Sequence, residues 1–238
     1  VMFMGAAQAW RVGIGFVFVV ATARLLAPSD FGLVAMVATV TALVTMIQDL
    51  GATQAVVQRD RISPGQLNAL FWISVALGCV LALLLAISSG AVARFFGEPR
   101  LEGLMIAFTA PIVAGGLQAI PFALLNRHMR FRELALIDAL AAAASFVIGL
   151  MLAWQLASYW ALYAAACASA LVMLVGCWAG SGFQPGRPTF DRETRAMIGF
   201  GSGVSGFNLA NYFSRNADNI LIGRVFGDVA LGFYDRAY

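Results

Sequence analysis

Long apolar stretches separated by short polar breaks run along the chain near residues 5–26, 31–51, 67–89, 101–125, 134–157, 159–180 and 197–223. A hydrocarbon core about 30 Å thick takes roughly 20 apolar helical residues. The pattern therefore predicts seven spanning helices, with an eighth opening at Leu231 and running to Tyr238. These stretches are continuously apolar and rich in Ala, Leu and Val, whereas membrane barrel strands alternate over about ten residues. The expected fold class is an all-α polytopic membrane protein. A hydrophobic element does not stop inside a bilayer, so the ending at Tyr238 reads as a truncation. Residues 1–26 lack a basic leader and run to full spanning length, which reads as a helix and not a cleaved signal.

Two of the stretches carry polar residues at helical spacing. In the last one Ser205, Asn208, Asn211, Arg215 and Asp218 recur every three or four residues and share one face. In the first, Gln8 and Arg11 share a face with Gly15. A charge at the bilayer centre costs about 2.5–3.5 kcal/mol on insertion scales, so such residues normally face a bundle interior or a wet cavity. At 1.5 Å per residue, Arg11 lies about 20 Å from the interface marked by Arg24, and Arg215 about 13 Å from Arg224. The stripes point to a polar pathway through the membrane. The plainer alternatives are snorkelling of Arg11 to the nearer interface and an Arg215–Asp218 pair that only serves packing.

Composition agrees with a membrane solvent, at 61% hydrophobic and 11% charged residues and a mean hydropathy of +0.84. All fifteen positive charges are Arg. Eight fall in one set of alternate loops (Arg59, Arg61, Arg127, Arg130, Arg132, Arg187, Arg192, Arg195) and four in the other (Arg24, Arg94, Arg100, Arg224). The positive-inside rule puts the first set, and with it the N-terminus, in the cytoplasm. That loop bias accounts for the pI near 9.0 without a nucleic-acid partner. The run Asn126 to Arg132 suits anionic lipid headgroups, worth about 1 kcal/mol per basic residue. Cys79, Cys167 and Cys177 lie in apolar spans, where a thiol behaves as a small hydrophobe. No disulfide, metal or cofactor is expected. His128 sits in a basic loop without a nucleophile beside it, and the connections are short, so the chain does not read as an enzyme.

The turn-rich run Gln184 to Asp191 marks a boundary. The expected organisation is a six-helix N-lobe over 1–182, a cytoplasmic linker over 183–196, and the start of a C-lobe over 197–238. Small residues at 139–145 and 164–170 predict close packing of the fifth and sixth spans. Pro111, Gly115, Gly116 and Pro121 predict a kinked fourth span that is able to flex. Residues 24–33 also align without gaps to 224–233, an offset of two hundred. The shared residues are Arg24/Arg224 and Gly32/Gly232, and the same offset sets Gln8 opposite Asn208 and Arg11 opposite Asn211. A repeat after six helices makes two parallel bundles with a site between them.

Six segments in this order resemble a known family: Ala23 to Leu33, Asp49-Leu50-Gly51, Phe95 to Pro99, Met129 to Arg132, Trp160-Ala161-Leu162 and Asn216 to Arg224. The chain resembles the Wzx-type lipopolysaccharide and oligosaccharide flippases, colanic acid exporter-like proteins of the multidrug/oligosaccharidyl-lipid/polysaccharide exporter superfamily. The resemblance implies two six-helix lobes in the bacterial cytoplasmic (inner) membrane and transport of an undecaprenyl-diphosphate-linked oligosaccharide to the outer leaflet. It also implies membrane lipids, and in some systems a polysaccharide polymerase, as partners. With such a cargo, Arg11 and Arg215 are expected to meet phosphate oxygens in bidentate, charge-assisted bonds. Gln8, Asn208 and Asn211 would line the cavity toward sugar hydroxyls, and Asp218 would hold Arg215. Two alternatives stay open. A multidrug or cation antiporter of the same superfamily would call for buried acids, of which Asp138 and Asp218 are the two well inside the spans. A membrane glycan polymerase would need a large extracytoplasmic loop.

Overall fold

A computed structural model describes residues 2–49, 56–57, 62–189, 212 and 216–237, apart from the side chains of residues 2–9, 11, 49, 236 and 237. The elements are α1 (Met2–Ala23), α2 (Pro28–Asp49), α3 (Pro64–Phe96), α4 (Arg100–Ala107), α5 (Thr109–Arg127), α6 (Phe131–Leu156), α7 (Trp160–Ser181) and α8 (Gly227–Ala237). Residues 216–225 are also helical, and no strand occurs among the described residues. Five helical stretches are long and apolar enough to cross a membrane: α2, α3, α4 with α5, α6 and α7. Within α1 the apolar stretch Val12–Ala23 adds to them. The chain is a multi-pass membrane protein, and its outward faces carry the apolar side chains that lipid requires, among them Phe16, Ile87, Trp154 and Phe226.

The helix ends follow local chemistry. Pro28 opens α2, where a missing N–H costs nothing, and Asp30 in that first turn accepts from the Ala27 N–H at 3.2 Å. At the start of α3, Ser63 and Gln66 form a reciprocal capping box ahead of Pro64. Gly97 ends α3 in the left-handed region at φ 75, a conformation that a side chain disfavours. The 33 residues of α3 span about 50 Å at 1.5 Å per residue, so the helix tilts or protrudes.

The expected fourth span is two helices, α4 and α5, separated at Phe108. Pro111 lacks the N–H that would bond Ala107, and the Ala107 carbonyl instead accepts from the Tyr163 hydroxyl at 3.2 Å. Pro121 likewise leaves the Leu117 carbonyl unclaimed, and Trp178 Nε1 donates to it at 3.0 Å. Both donors belong to α7. In hydrocarbon no water can meet a freed carbonyl, so each proline of α5 is matched by a donor on α7. A third fastening comes from α2. Gln48, buried, donates from Nε2 to the Ile112 carbonyl at 2.8 Å and fills a notch made by Gly78 and Gly116, where an added Cβ would stand 2.9 and 3.0 Å from that nitrogen.

Helices α6 and α7 lie against each other along small residues. Gly149 on α6 leaves no room for a Cβ, which would lie 2.8 Å from Ala165 Cβ on α7 and 2.7 Å from the Phe18 ring of α1. The packed interior divides into clusters, the largest combining Leu33, Met36 and Val37 of α2, Leu81 and Leu85 of α3, Leu101, Leu104 and Met105 of α4, and Leu231 of α8. Beyond α7 the chain turns back onto the start of α3. Gly186 N–H donates to Asn68 Oδ1 at 3.1 Å, Trp72 Nε1 donates to the Gly186 carbonyl at 3.1 Å, and Thr189 N–H donates to the Gly65 carbonyl at 3.1 Å.

Candidate functional site

Residue 212 and residues 216–237 pack against α2, α3 and the α3–α4 corner along one seam, whose centre is the crossing of α2 and α8. Gly32 and Gly232 are both buried there. A Cβ on Gly32 would overlap the Asp228 carbonyl and lie 2.9 Å from Asp228 Cα, and one on Gly232 would overlap the Pro28 carbonyl and lie 3.0 Å from the Gly32 nitrogen. The contact is reciprocal at an offset of two hundred: residue 32 meets 228, and residue 232 meets 28. That reciprocity is the packing expected of two equivalent helices related by a pseudo-twofold axis. Gly is required at both positions because backbone meets backbone.

Around the crossing, Leu231 is fully buried in the first-half core, and the Tyr212 hydroxyl donates to the Thr39 carbonyl. An apolar recess of about 310 Å³ lies alongside, lined by Thr39, Leu43, Val92, Phe95, Tyr212 and Ile220. The rim is polar. Arg100 bridges Glu98 at 2.7 Å and Asp228 at 2.9 Å, joining the α3–α4 corner to α8. The hydrogen bond from Arg100 holds the Glu98 carboxyl below its ordinary value. Arg224 stacks its guanidinium 5.4 Å from the Phe95 ring centroid.

Of the residues expected to form the site, Asp218 is fully described. Its Oδ2 accepts from the Tyr234 hydroxyl at 2.6 Å and its Oδ1 from the Asn219 N–H at 2.9 Å, so it ties residues 216–225 to α8. Gln8 and Arg11 lie on α1, with side chains outside the described set, and Asn208, Asn211 and Arg215 lie outside the described residues. Among the described residues no group of three or more His, Cys, Asp or Glu side chains is arranged to hold a metal. The sequence reading did not find the partners of Gln48, Tyr163 and Trp178. The signal was available for two of them, since Pro111 and Pro121 each imply a carbonyl four residues earlier that needs a donor.

Comparison with known proteins gives relatives along most of the chain. It is 30% identical over 227 residues to the succinoglycan biosynthesis transport protein ExoT of Rhizobium meliloti (strain 1021), covering 94% of this chain and 46% of that protein. It is 24% identical over 231 residues to the lipopolysaccharide biosynthesis protein WzxC of Escherichia coli (strain K12), covering 95% of this chain and 46% of that one. It is 28% identical over 219 residues to the teichuronic acid biosynthesis protein TuaB of Bacillus subtilis (strain 168), covering 83% and 41%. The chain spans about half the length of the curated relatives it matches. No solved structure matches it. The family described as polysaccharide biosynthesis protein matches residues 21–238, and with nearly the whole chain covered, the protein belongs to that family.

Proposed function

We propose that the protein is a transporter, not an enzyme, and that it flips an undecaprenyl-diphosphate-linked oligosaccharide from the cytoplasmic to the outer leaflet of the bacterial inner membrane. The flipped lipid feeds cell-surface polysaccharide synthesis. What supports this reading is the reciprocal Gly32–Gly232 contact, because it relates the two ends of the chain at the offset that also pairs Gln8 with Asn208 and Arg11 with Asn211. The polar residues then occupy equivalent positions on facing helices of two lobes, and a cleft between lobes is where parallel-repeat transporters bind their cargo. Relatives named for succinoglycan transport and lipopolysaccharide biosynthesis favour this cargo class over drugs or cations. In this reading residues 1–182 form the N-lobe, 183–196 a cytoplasmic linker and 197–238 the start of the C-lobe, with the N-terminus in the cytoplasm.

Arg11 and Arg215 bind the diphosphate, Gln8, Asn208 and Asn211 face the sugar, and Asp218 helps fix the helix that carries Arg215. The isoprenoid tail stays in lipid through the gap between lobes. The test is flipping of a fluorescent undecaprenyl-diphosphate oligosaccharide in liposomes holding the complete protein. Arg215→Ala and Arg11→Ala should each slow it at least tenfold, a loss of about 1.4 kcal/mol in transition-state stabilisation, and a lipid without the diphosphate should not be flipped. Wild-type rates in both variants would make the stripes structural and leave the polymerase or antiporter reading to be tested.

A further inference from the structure

The face of α1 turned away from the polar stripe is built differently. Gln8, Arg11 and Gly15 share one face, whereas Val17, Val20 and Arg24 share another, about 180° away around the helix. A groove of about 450 Å³ follows this second face, floored by Phe16, Val17, Val20 and Ala21, walled by Leu150 of α6 and ending at Arg24. Phe16 is 71% exposed, Val17 52% and Val20 42%, so the groove opens away from the bundle, toward lipid. From Phe16 to Arg24 it runs about 12 Å at 1.5 Å per residue, close to the roughly 15 Å of hydrocarbon in a single leaflet.

Arg24 distinguishes this groove from other lipid-facing surface. Four arginines mark the same interface, Arg24, Arg94, Arg100 and Arg224, and three of them are engaged. Arg94 Nε donates to the Gly90 carbonyl at 3.1 Å, Arg100 bridges Glu98 and Asp228, and Arg224 stacks on Phe95. The Arg24 guanidinium is exposed and has no hydrogen bond, ion pair or ring contact among the described residues. The acid nearest along the chain, Asp30, is buried and accepts from the Ala27 N–H. A second apolar groove, of about 430 Å³ between α5 and α7, is lined by Leu117, Leu174 and Trp178 and has no charged residue in it. At Arg24, by contrast, an uncommitted cation stands at the head of an apolar channel one leaflet deep. That combination suits an acyl chain beneath an anionic headgroup. A phosphodiester offers two oxygens to a planar guanidinium in parallel, charge-assisted bonds, whereas a zwitterionic headgroup brings its own cation to the same phosphate.

We propose that the Arg24 groove binds an anionic phospholipid of the adjoining leaflet, of the phosphatidylglycerol kind, with one acyl chain along Phe16, Val17 and Val20 and the phosphate on Arg24. The occupant is a phospholipid and not the proposed cargo on two grounds. An undecaprenyl chain is far longer than one leaflet is deep, and the groove lies on the face of α1 opposite the stripe assigned to the cargo. Because Leu150 forms one wall, a lipid held there also fills the outward edge of the α1–α6 contact and keeps α1 with the first half. The site does not rest on the proposed function.

The experiment is native mass spectrometry of the complete protein released from detergent, titrated with phosphatidylglycerol or with phosphatidylcholine of the same chains. The reading is the lipid concentration at which half of the protein carries a first lipid. Wild type should take phosphatidylglycerol about fivefold more tightly, the factor that corresponds to one basic residue at an anionic interface. Arg24→Gln should bring the two lipids to within about twofold of each other, and Ala21→Phe, which fills the groove beneath the guanidinium, should weaken phosphatidylglycerol by at least about threefold. Arg187→Gln is the control: Arg187 is also exposed and without a side-chain partner among the described residues, but it lies beyond α7, so the preference should remain. Equal affinities in wild type, or a preference that survives Arg24→Gln, overturns the proposal. A preference lost as fully in Arg187→Gln overturns it by making the effect one of bulk charge, and displacement of the first phosphatidylglycerol by equimolar undecaprenyl diphosphate overturns it by giving the groove to the cargo's lipid. If Ala21→Phe does not fold, Arg24→Gln, a change at an exposed side chain, decides alone. No flipping is measured, so a failed flippase assignment and a failed lipid site remain distinguishable.

Discussion

Inside the first half, α5 is fastened to its neighbours by side chains aimed at particular carbonyls, Tyr163 and Trp178 from α7 and Gln48 from α2. At the seam between the halves, α2 and α8 meet at Gly32 and Gly232 with backbone against backbone. The contrast separates what must stay together from what is able to part. Pulling α7 off α5 would leave proline-freed carbonyls bare in hydrocarbon, a cost paid in full. Parting α2 from α8 at the crossing itself exposes backbone already bonded within each helix, so what is lost there is close packing, with the Arg100–Asp228 and Tyr212–Thr39 bonds beside it. The transport proposed above would place its moving joint at the seam and its rigid body in the first half.

The largest effect should come from closing the space at the crossing. Gly232→Val should destabilise the seam by at least the 1–3 kcal/mol or so typical of overpacking, because backbone carbonyls and not flexible side chains stand in the way. Gly13→Ala is the control, since a Cβ there meets nothing within 4 Å. Thermal melts of the two variants should differ by several degrees, and equal melts would dissolve the contrast. Next, Trp178→Phe should cost about 1–3 kcal/mol by orphaning the Leu117 carbonyl. Pro121→Ala added to it should restore most of that loss, as residue 121 regains the N–H that serves Leu117. Additive losses in this double-mutant cycle would show that Trp178 acts by packing alone.

A smaller loss, about 0.5–1.5 kcal/mol, is expected for Gln48→Leu, read in the same melts. It would sharpen the picture by showing how much of the α2 anchorage is a hydrogen bond and how much is shape. The smallest effect belongs to the exposed rim. Arg100→Ala should cost under about 1 kcal/mol. Because Glu98 is held below its ordinary value in the folded protein, its bridge stabilises fully above the usual carboxylate range and is lost as pH falls through the lowered value. Wild-type stability should therefore decline on acidification slightly more than that of Arg100→Ala, whose Glu98 has no such partner.

Much of this was legible in the chain. The helices fall where the apolar runs fall, because length and hydrophobicity decide spanning in a bilayer, and the Gly32 and Gly232 positions were visible as a repeat. Two things were not legible there. The break at Phe108 was not, since the apolar run 101–125 continues across it and only Pro111, by withholding an N–H, divides it. The groove below Arg24 was not either, because periodicity places a residue on a face without telling whether that face meets lipid, a neighbour or a void. Asp218 also has a partner that its spacing did not suggest, Tyr234, sixteen residues on.

The chain that leaves α7 is bonded to the opening of α3 through Asn68, Trp72 and Gly65. In polymer terms this moves the anchor of the tether from Gly182 to Thr189 and ends it on a rigid support. Whatever follows Thr189 therefore starts from the mouth of α3 and not from the end of α7. Trp72→Phe and Asn68→Ala together would leave that start resting on the Thr189–Gly65 bond alone.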